Sequence, residues 1–344
     1  MARKTICSQL VYVLILLSLV SSRLHGQPPA YCAITVQDWP GDPVIPGATC
    51  TTIPFRFLQS CTVGTYLCSA ICWDCIFGTP SASGPINLAN GNTFITQTDL
   101  NIPGLGGGLS LSRTWNSQFP FGESAPTVGM FGPNWRSTYE ESIFVDGSGL
   151  AKYVRPNGSI WTLGLLGAQW PLKYVMIAPA NGGIKLGYDT TQWTLTFKSG
   201  EQRVFDWRTG HLLSLIDRNG NTTQLTYDSS NRLATVTDPA ARHLYFSYAN
   251  QSSPLVVGVS SDAGVSLSYS YDSQGRLSSV TKPDLTTVSF QYDNLSMITA
   301  VLDTNGKVLE SHTYDSEFRG VTGARAGGVD AVTITYPFLV PGLP

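Results

Sequence analysis

The side chains best suited to acid–base chemistry are one pair of adjacent glutamates and three of the four histidines, those beyond the first 26 residues. His211, His243 and His312 each lie on or beside a predicted strand. None has a matching acid and nucleophile nearby in the sequence, so we expect solvated or hydrogen-bonded surface histidines. Glu140 and Glu141 could be taken for a glycosidase pair, but neighbours on a strand point to opposite faces and could not flank one bond. The sequence therefore predicts no catalytic residue.

Cysteines are the second group of reactive side chains. Beyond Cys7, all of them fall in one short segment, at Cys32, Cys50, Cys61, Cys68, Cys72 and Cys75. The Cys72–Cys75 spacing is that of a zinc-ligand pair, but a lone CxxC is a weak signal, and disulfides are the stronger expectation in an exported protein. If 66–77 is helical, Cys68, Cys72 and Cys75 lie on one face and would pair with the other three cysteines.

Export is predicted from the start of the chain. Arg3 and Lys4 precede an apolar run from Leu10 to Val20 that is too short to span a bilayer, and small residues follow it. This pattern is typical of a secretory signal peptide cleaved after Gly26 or Ser22, with an uncleaved N-terminal anchor as the alternative. We expect a secreted or cell-envelope protein (periplasm, outer surface or extracellular) with no transmembrane helix after cleavage.

Charge and motif content exclude several classes of function. Charged residues make up 13% of the chain, the formal net charge is −2, and no basic cluster occurs, so no nucleic-acid partner is expected. Recurrent aspartates could suggest calcium, but that ion needs several oxygens converging on one point, and turn formation explains these residues more simply. Gly104 to Gly108 is not followed by the Lys-Ser/Thr of a phosphate loop. We expect no metal and no cofactor.

The secondary-structure elements that position the histidines and aspartates recur as a sequence repeat. The dipeptide Tyr-Asp returns along the C-terminal third at a spacing of about 22 residues, which indicates stacked supersecondary units. In one unit Leu267, Tyr269 and Tyr271 face one way, Asp272 to Gly275 makes a turn, and a second strand returns. The residues that define the repeat are Tyr227, Asp228, Arg232, Tyr271, Asp272, Gly275, Arg276, Tyr292, Asp293, Tyr314 and Asp315.

One spacing does not fit simple alternation. Leu277 and Val280 are three residues apart, as are Leu233 and Val236, so strict alternation places each pair on opposite faces. Either the returning strand carries a bulge or both faces of the sheet are partly covered.

The pattern resembles the YD-repeat, or Rhs, family. The repeat part of the resemblance rests on Tyr227 to Leu233, Tyr271 to Leu277 and the connecting Asp217 to Asn221. The preceding region resembles the domain of unknown function that comes before the repeats in bacterial Rhs proteins. Its marks are Asn90 to Asn92, Thr98 to Leu100, Arg113 to Ser117 and Gly132 to Arg136. Together the resemblance covers about residues 86 to 336.

The resemblance implies a spiralling β-sheet. In large relatives the sheet closes into a shell around a C-terminal toxin, animal teneurins use a similar shell at the cell surface, and the repeats are often associated with carbohydrate binding. This chain has roughly six or seven units and reaches Pro344 without a toxin segment or a cleavage-associated core motif. Delivery of an encapsulated toxin is therefore not expected of this chain alone.

The predicted fold is mainly β. Stacked antiparallel β-hairpin repeats form an open, curved or spiralling sheet after a small disulfide-rich N-terminal module, because a single hairpin is marginal in water and must bury its aromatic face against neighbours. The expected boundaries are a signal peptide at 1–26, a cysteine-rich module and linker at 27–85, an Rhs-associated β domain at 86–187, repeats at 188–337 and a tail at 338–344.

The expected function is that of an exported, non-enzymatic scaffold that binds a glycan or protein ligand. Two alternatives stay open: the N-terminal part of an Rhs-type polymorphic toxin or contact-dependent competition system, and a carbohydrate-active enzyme. An exposed edge near Val332 to Tyr336 would invite pairing with further repeats or a partner chain. Tryptophans that could stack on sugars, although most should be core, are Trp115, Trp135, Trp161, Trp193 and Trp207.

Overall fold

The computed structural model describes residues 31–38, 49–52, 59–67, 81–82, 85–87, 90–118, 128–167, 170–178 and 183–336. Within these ranges the regular structure is β-strand, apart from two short 3-10 turns at Leu105–Gly107 and Ala326–Gly328. The prediction of a mainly β fold is confirmed. The predicted signal peptide and tail, and Cys68, Cys72 and Cys75, lie outside the described residues.

Ten of the described strands precede the large sheet. They are β1 (Tyr31–Asp38), β2 (Thr49–Thr52), β3 (Gln59–Leu67), β4 (Ser81–Ala82), β5 (Ile86–Asn87), β6 (Phe94–Ile102), β7 (Leu109–Asn116), β8 (Val128–Gly129), β9 (Gly132–Pro133) and β10 (Trp135–Ser137).

The large sheet contains the remaining strands. They are β11 (Ser142–Val145), β12 (Ala151–Val154), β13 (Ile160–Leu165), β14 (Leu172–Ala178), β15 (Lys185–Tyr188), β16 (Gln192–Thr196), β17 (Gln202–Asp206), β18 (Leu212–Ile216), β19 (Thr222–Tyr227), β20 (Leu233–Thr237), β21 (His243–Tyr248), β22 (Val256–Ser261), β23 (Ser266–Tyr271), β24 (Leu277–Thr281), β25 (Thr287–Tyr292), β26 (Ile298–Leu302), β27 (Val308–Tyr314), β28 (Gly320–Arg325) and β29 (Val329–Thr333).

The N-terminal strands form a small sheet in the order β1-β3-β2. Tyr66 and Leu67 pair with Cys32 and Tyr31 at the end of β3, so the helix predicted to begin at Tyr66 is wrong at its start. Cross-strand pairing overrides the helical spacing there. No structural observation supports the predicted disulfide-rich character of this module, which stays a prediction.

The large sheet is a 19-stranded meander in which each strand is antiparallel to the next, from β11 to β29. Its first edge meets the turn between β17 and β18, where the Ile143 amide donates to the Gly210 carbonyl at 3.0 Å. Gly210 permits this approach because its φ is +69° and a Cβ there would lie 1.9 Å from the Ile143 carbonyl oxygen. The first strands thus curl round on themselves, and the sheet then continues open to β29.

Each repeat tyrosine marks a β-bulge. Tyr271 pairs with Leu277, whereas Ser270 pairs with Ser279, so Ser278 is the extra residue of the returning strand. Leu277 and Val280 therefore share the inner face, and both are fully buried. Of the two explanations that the sequence left open for their spacing, the bulge is confirmed. The same register shift recurs at Tyr227, Tyr248, Tyr292 and Tyr314.

The core lies between the inner face of the large sheet and the small sheet β10-β7-β6. Aromatic rings of the preceding domain pack against rings of the large sheet, with Phe131 in the β8–β9 turn and Trp135 in β10. The ring centroids of Phe131 and Tyr269 are 4.8 Å apart, and those of Trp135 and Phe290 are 5.2 Å apart. The buried aromatic face predicted for the repeats is therefore covered by the preceding domain as well as by neighbouring repeats.

Candidate functional site

A ladder of tyrosine hydroxyls joins each repeat to the one before it. Each hydroxyl donates to a backbone carbonyl 15 or 16 residues earlier, on the adjacent strand. A carbonyl buried without a partner would cost free energy, so these bonds help to hold neighbouring strands in register. Burial raises the pKa of every one of these tyrosines. The donors are Tyr227, Tyr248, Tyr271, Tyr292, Tyr314 and Tyr336, at 2.6 to 2.8 Å.

The aspartate after each tyrosine organises the turn. Asp228 Oδ1 accepts from the amides of Ser230 and Arg232 at 2.8 and 2.9 Å, and its Oδ2 accepts from the Arg232 guanidinium at 2.6 Å. The guanidinium hydrogen bond is the main cause of the lowered pKa of Asp228. Asp272 and Asp315 form the same contacts with their own turns. The carboxylates are thus engaged in turn formation, the role proposed from the sequence.

The arginine of each unit reaches the next unit. Arg232 Cζ lies 4.2 Å from the ring centroid of Tyr248. The same contact joins Arg276 to Tyr292 at 4.7 Å and Arg319 to Tyr336 at 4.4 Å. The sequence identified Arg232 and Arg276 as residues of the repeat, but it did not show that each packs on the tyrosine ring of the next unit. The recurrence of Arg four residues after the Asp in three of the four Tyr-Asp pairs was the available signal.

A buried ion pair lies where the preceding domain meets the repeats. Arg113 donates to Asp99 through Nε at 2.5 Å and Nη2 at 2.8 Å, and the Tyr269 hydroxyl donates to Asp99 Oδ2 at 2.9 Å. The Arg113 guanidinium also lies 4.7 Å from the Trp135 ring centroid. Arg113 is 1% exposed, so its charge depends on this pairing. The available sequence signal was a charge at the position that strand alternation groups with Leu111 and Trp115.

Backbone and side-chain bonds tie the same domain to several repeats. The Val256 amide donates to the Met130 carbonyl at 2.9 Å, and the Gly320 amide donates to the Gly91 carbonyl at 2.8 Å. Arg242 Nη2 donates to the Pro103 carbonyl at 3.0 Å. The domain therefore bridges repeats that lie far apart along the chain.

The three histidines lie in separate environments. His211 stacks on the Tyr227 ring, and His243 Nδ1 lies 2.6 Å from Asp262 Oδ2. That contact lowers the pKa of Asp262. The sequence analysis missed the contact between His243 and Asp262, because only the pairing of β21 with β22 brings these residues together. The prediction of a surface position is wrong for His312, which is 3% exposed on the inner face of β27.

The paired glutamates point to different partners. Glu140 Oε1 accepts from the Met130 amide at 2.6 Å, whereas Glu141 accepts from the Tyr153 hydroxyl and lies 3.4 Å from Arg203 Nε. Burial raises the pKa of Glu141 despite these contacts. The expectation that the two carboxyls do not flank one bond agrees with this geometry.

The five tryptophans proposed for sugar stacking differ in exposure, and Trp161 is partly buried against the core. Trp115, Trp135 and Trp193 are buried in the core and present no ring to solvent. Trp207 is 42% exposed, and Trp170, which the sequence did not single out, is 56% exposed. The buried members are therefore excluded as exposed stacking platforms.

The described ranges contain neither a candidate metal centre nor a candidate membrane-spanning helix. Among the residues with described positions, no group of three or more His, Cys, Asp or Glu side chains could hold a metal ion. In the same part of the chain, no helix has the length and apolar character needed to cross a bilayer.

Two family models match this chain. The model described as a domain of unknown function (DUF6531) matches residues 83–163. The model described as the RHS repeat matches residues 206–243, 255–287 and 271–308. Both regions are those in which the resemblance was identified from sequence motifs.

Curated relatives include the tRNA nuclease WapA of Bacillus subtilis (strain 168), which is 30% identical over 153 residues. The tRNA(Glu)-specific nuclease WapA of Bacillus subtilis subsp. natto (strain BEST195) matches equally. The alignment covers 44% of this chain and 6% of each relative. The prediction of a non-enzymatic protein is wrong in the light of these relatives, because both are named as nucleases.

Similar solved structures include a Photorhabdus luminescens Tc holotoxin pore, with a TM-score of 0.27 and 14% identity over 68% of this chain and 14% of that chain. The crystal structure of TcdB2-TccC3-Cdc42 gives a TM-score of 0.27 and 16% identity over 56% of this chain and 13% of that chain. Similarity at this level supports no argument about the function of this chain.

Proposed function

This chain belongs to the Rhs, or YD-repeat, family, and on that premise we propose that it is part of an Rhs-type toxin. The observation that carries the proposal is the match to relatives named as tRNA nucleases. The toxin would act on tRNA, a substrate that the low charge of this chain did not lead us to expect. The described residues would form part of its structural wall. This is the alternative that the sequence left open, and it replaces the ligand-binding scaffold.

The architecture of the sheet supports a structural role for the described residues in such a toxin. The first edge is sealed by the contact of Ile143 with Gly210, and the inner face is covered by the domain that carries Arg113. The docked domain and the tyrosine ladder reinforce each other at β23, where Tyr269 contacts Asp99 and Phe131 and where Tyr271 forms a rung of the ladder. Because the first edge is closed, strand addition would proceed at the other edge only.

The opposite edge is the proposed site of strand pairing. In β29, the last strand of the described sheet, Val329, Asp330, Ala331 and Thr333 are exposed. The unit behind it is complete, since the Tyr336 hydroxyl donates to the Gly320 carbonyl at 2.7 Å and Arg319 covers the Tyr336 ring. A further repeat strand, from this protein or a partner chain, would continue the same ladder.

Localisation follows from the same proposal. A toxin directed at other cells is exported, so we place the protein outside the cytoplasm or in the cell envelope, in agreement with the predicted signal peptide. A glycan ligand stays a prediction, with Trp170 and Trp207 as the exposed rings that would contact it.

The test is a competition assay in which the producing strain carries either the intact gene or its deletion. Co-culture with a susceptible strain should show that the intact gene confers a growth advantage, and the inhibited cells should contain cleaved tRNA. A domain-docking variant, Arg113→Met, should lose the advantage because it leaves Asp99 buried and unpaired.

The matched control is Arg208→Met, which alters an exposed arginine stacked on Trp207 and should keep the full advantage. Equal growth with and without the gene, or inhibited cells with intact tRNA, would remove the basis of the proposal.

A further inference from the structure

The first edge of the large sheet closes on a turn that carries a histidine. The Ile143 amide of β11 donates to the Gly210 carbonyl at 3.0 Å, and Ser142 forms an antiparallel bridge with His211. These four residues are called the seam. Within the described residues, β11 has four register pairs with β12 but a single bridge to the turn. The seam is therefore the weaker attachment of β11, and local opening of this edge would begin there.

His211 is tied to both sides of the seam. Its imidazole stacks on the Tyr227 ring of β19, with ring centroids 4.9 Å apart and an interplanar angle of 26°. Its carbonyl accepts from the Asp206 amide at 2.8 Å, and its amide donates to Thr209 Oγ1 at 3.3 Å. The backbone of His211 thus pairs with β11 while its ring packs on a later strand. A change in the charge of the ring acts directly on the seam.

The charged groups around His211 do not offset the burial of its ring. Desolvation lowers the pKa of His211 below its ordinary value of 6.5, although Asp206 on β17 acts in the opposite direction. Tyr227 on β19 stays neutral in this range, because burial raises its pKa. On the β11 side, Glu141 lies next to the bridge and pairs with Arg203 of β17 at 3.4 Å. The closed seam therefore binds a proton on His211 less tightly than a solvated imidazole does.

We propose that His211 is a pH-sensitive latch on the first edge of the sheet. The ring is neutral in both forms above pH 6.5, and the seam stays closed. As pH falls from 6.5 through the lowered pKa, the open form gains the proton first and becomes more favourable. Opening leaves β11 with an unpaired edge that can pair with another strand. The inference does not depend on the toxin assignment.

A second titrating group at the seam has the opposite pH dependence. Burial raises the pKa of Glu141, so acid favours the folded form at this residue. Its titration would mask part of the effect of His211 in the wild-type protein. The substitution Glu141→Gln removes this opposing contribution, and the test therefore includes it.

The experiment is hydrogen exchange of the Ile143 amide on the full chain, corrected for the intrinsic exchange rate. Between about pH 7.5 and about pH 5, protection should fall by up to about tenfold for each unit by which the pKa of His211 is lowered. Amides of β24 and β25 should keep their protection, because these strands contain no histidine. An NMR titration of the His211 ring should give a midpoint below 6.5.

Variants separate the latch from a general effect of acid. His211→Gln should abolish the pH dependence of Ile143 protection, and the ratio between the two pH values tests this even if the variant weakens the seam at neutral pH. The matched control is His243→Gln, which alters a histidine paired with Asp262 and should keep the fall. Glu141→Gln should enlarge it. Constant protection of Ile143 in both wild type and Glu141→Gln, an equal fall in His211→Gln, or a His211 midpoint at or above 6.5 would overturn the proposal.

Discussion

The guanidinium carbon of Arg232 lies 4.2 Å from the ring centroid of Tyr248, a residue of the following repeat. Arg232 is held in this position by Asp228, which accepts from its backbone amide and its side chain. The motif therefore works across units, because the aspartate of one repeat orients an arginine that packs on the tyrosine of the next. Two units of the array depart from this pattern. Met297 stands where Arg232 and Arg276 stand in theirs, and in the unit of Tyr248 the corresponding residue, before Val256, is Leu255.

Replacing Arg232 should destabilise the array. Arg232→Ala removes the ring contact and the guanidinium hydrogen bonds to Asp228 but keeps the backbone amide bond, and we expect a loss of about 2 kcal/mol in the free energy of unfolding. Arg232→Lys keeps the charge but not the planar fork, so about half of the loss should remain. Urea denaturation measures both. Arg208→Ala, on the exposed face, should change the stability by less than about 0.5 kcal/mol.

Removing one rung of the tyrosine ladder should have a local cost. Tyr271→Phe deletes the hydroxyl that donates to the Val256 carbonyl at 2.6 Å and leaves that carbonyl short of a partner. The expected loss is about 1 to 2 kcal/mol, with faster hydrogen exchange in β22 and β23. Tyr245→Phe is the control, because Tyr245 is an exposed tyrosine of the same sheet. Equal effects of the two substitutions would contradict a role for the ladder.

The buried pair should be strongly coupled. Arg113→Met leaves Asp99 buried without its cation, and the expected loss is about 3 to 5 kcal/mol. Adding Asp99→Asn removes the stranded charge while keeping an acceptor for Tyr269, so the double variant should be more stable than Arg113→Met alone. A double-mutant cycle on the free energy of unfolding gives the coupling. Additive losses would show that the two side chains act independently.

Glu141 should make stability depend on pH. Burial raises its pKa above the ordinary value of 4.5, so the folded protein binds this proton more tightly than the unfolded chain does. The contribution of Glu141 is therefore most favourable at acid pH and declines as pH rises from 4.5 through the raised pKa. Glu141→Gln removes this term while leaving an acceptor for the Tyr153 hydroxyl.

The check is the difference in unfolding free energy between Glu141→Gln and wild type across that range. The variant should become more stable relative to the wild type as pH rises. Arg203 and Arg155 act against the raised pKa, so the shift should grow when Arg203 is replaced by Met. A difference that stays constant with pH would rule out this account.

The order of the hairpins was predictable because its causes are local. Alternation along Leu267, Tyr269 and Tyr271, and the turn chemistry of Asp272 and Gly275, act within a few residues of one another. The returning strand was ambiguous for a physical reason, since alternation alone cannot distinguish a bulge at Ser278 from a change of face. Only the pairing of Tyr271 with Leu277 decides it.

By itself, the sequence determined the repeat period, the strand-and-turn composition of each unit and the membership of the family. Each depends on interactions between near neighbours in the chain. The tertiary structure decided that Asp99 meets Tyr269 across 170 residues, that Arg113 is buried between two sheets and that His312 faces the core. These depend on where a separate domain docks. That docking is the sum of many weak contacts between distant segments, and a local pattern does not encode it.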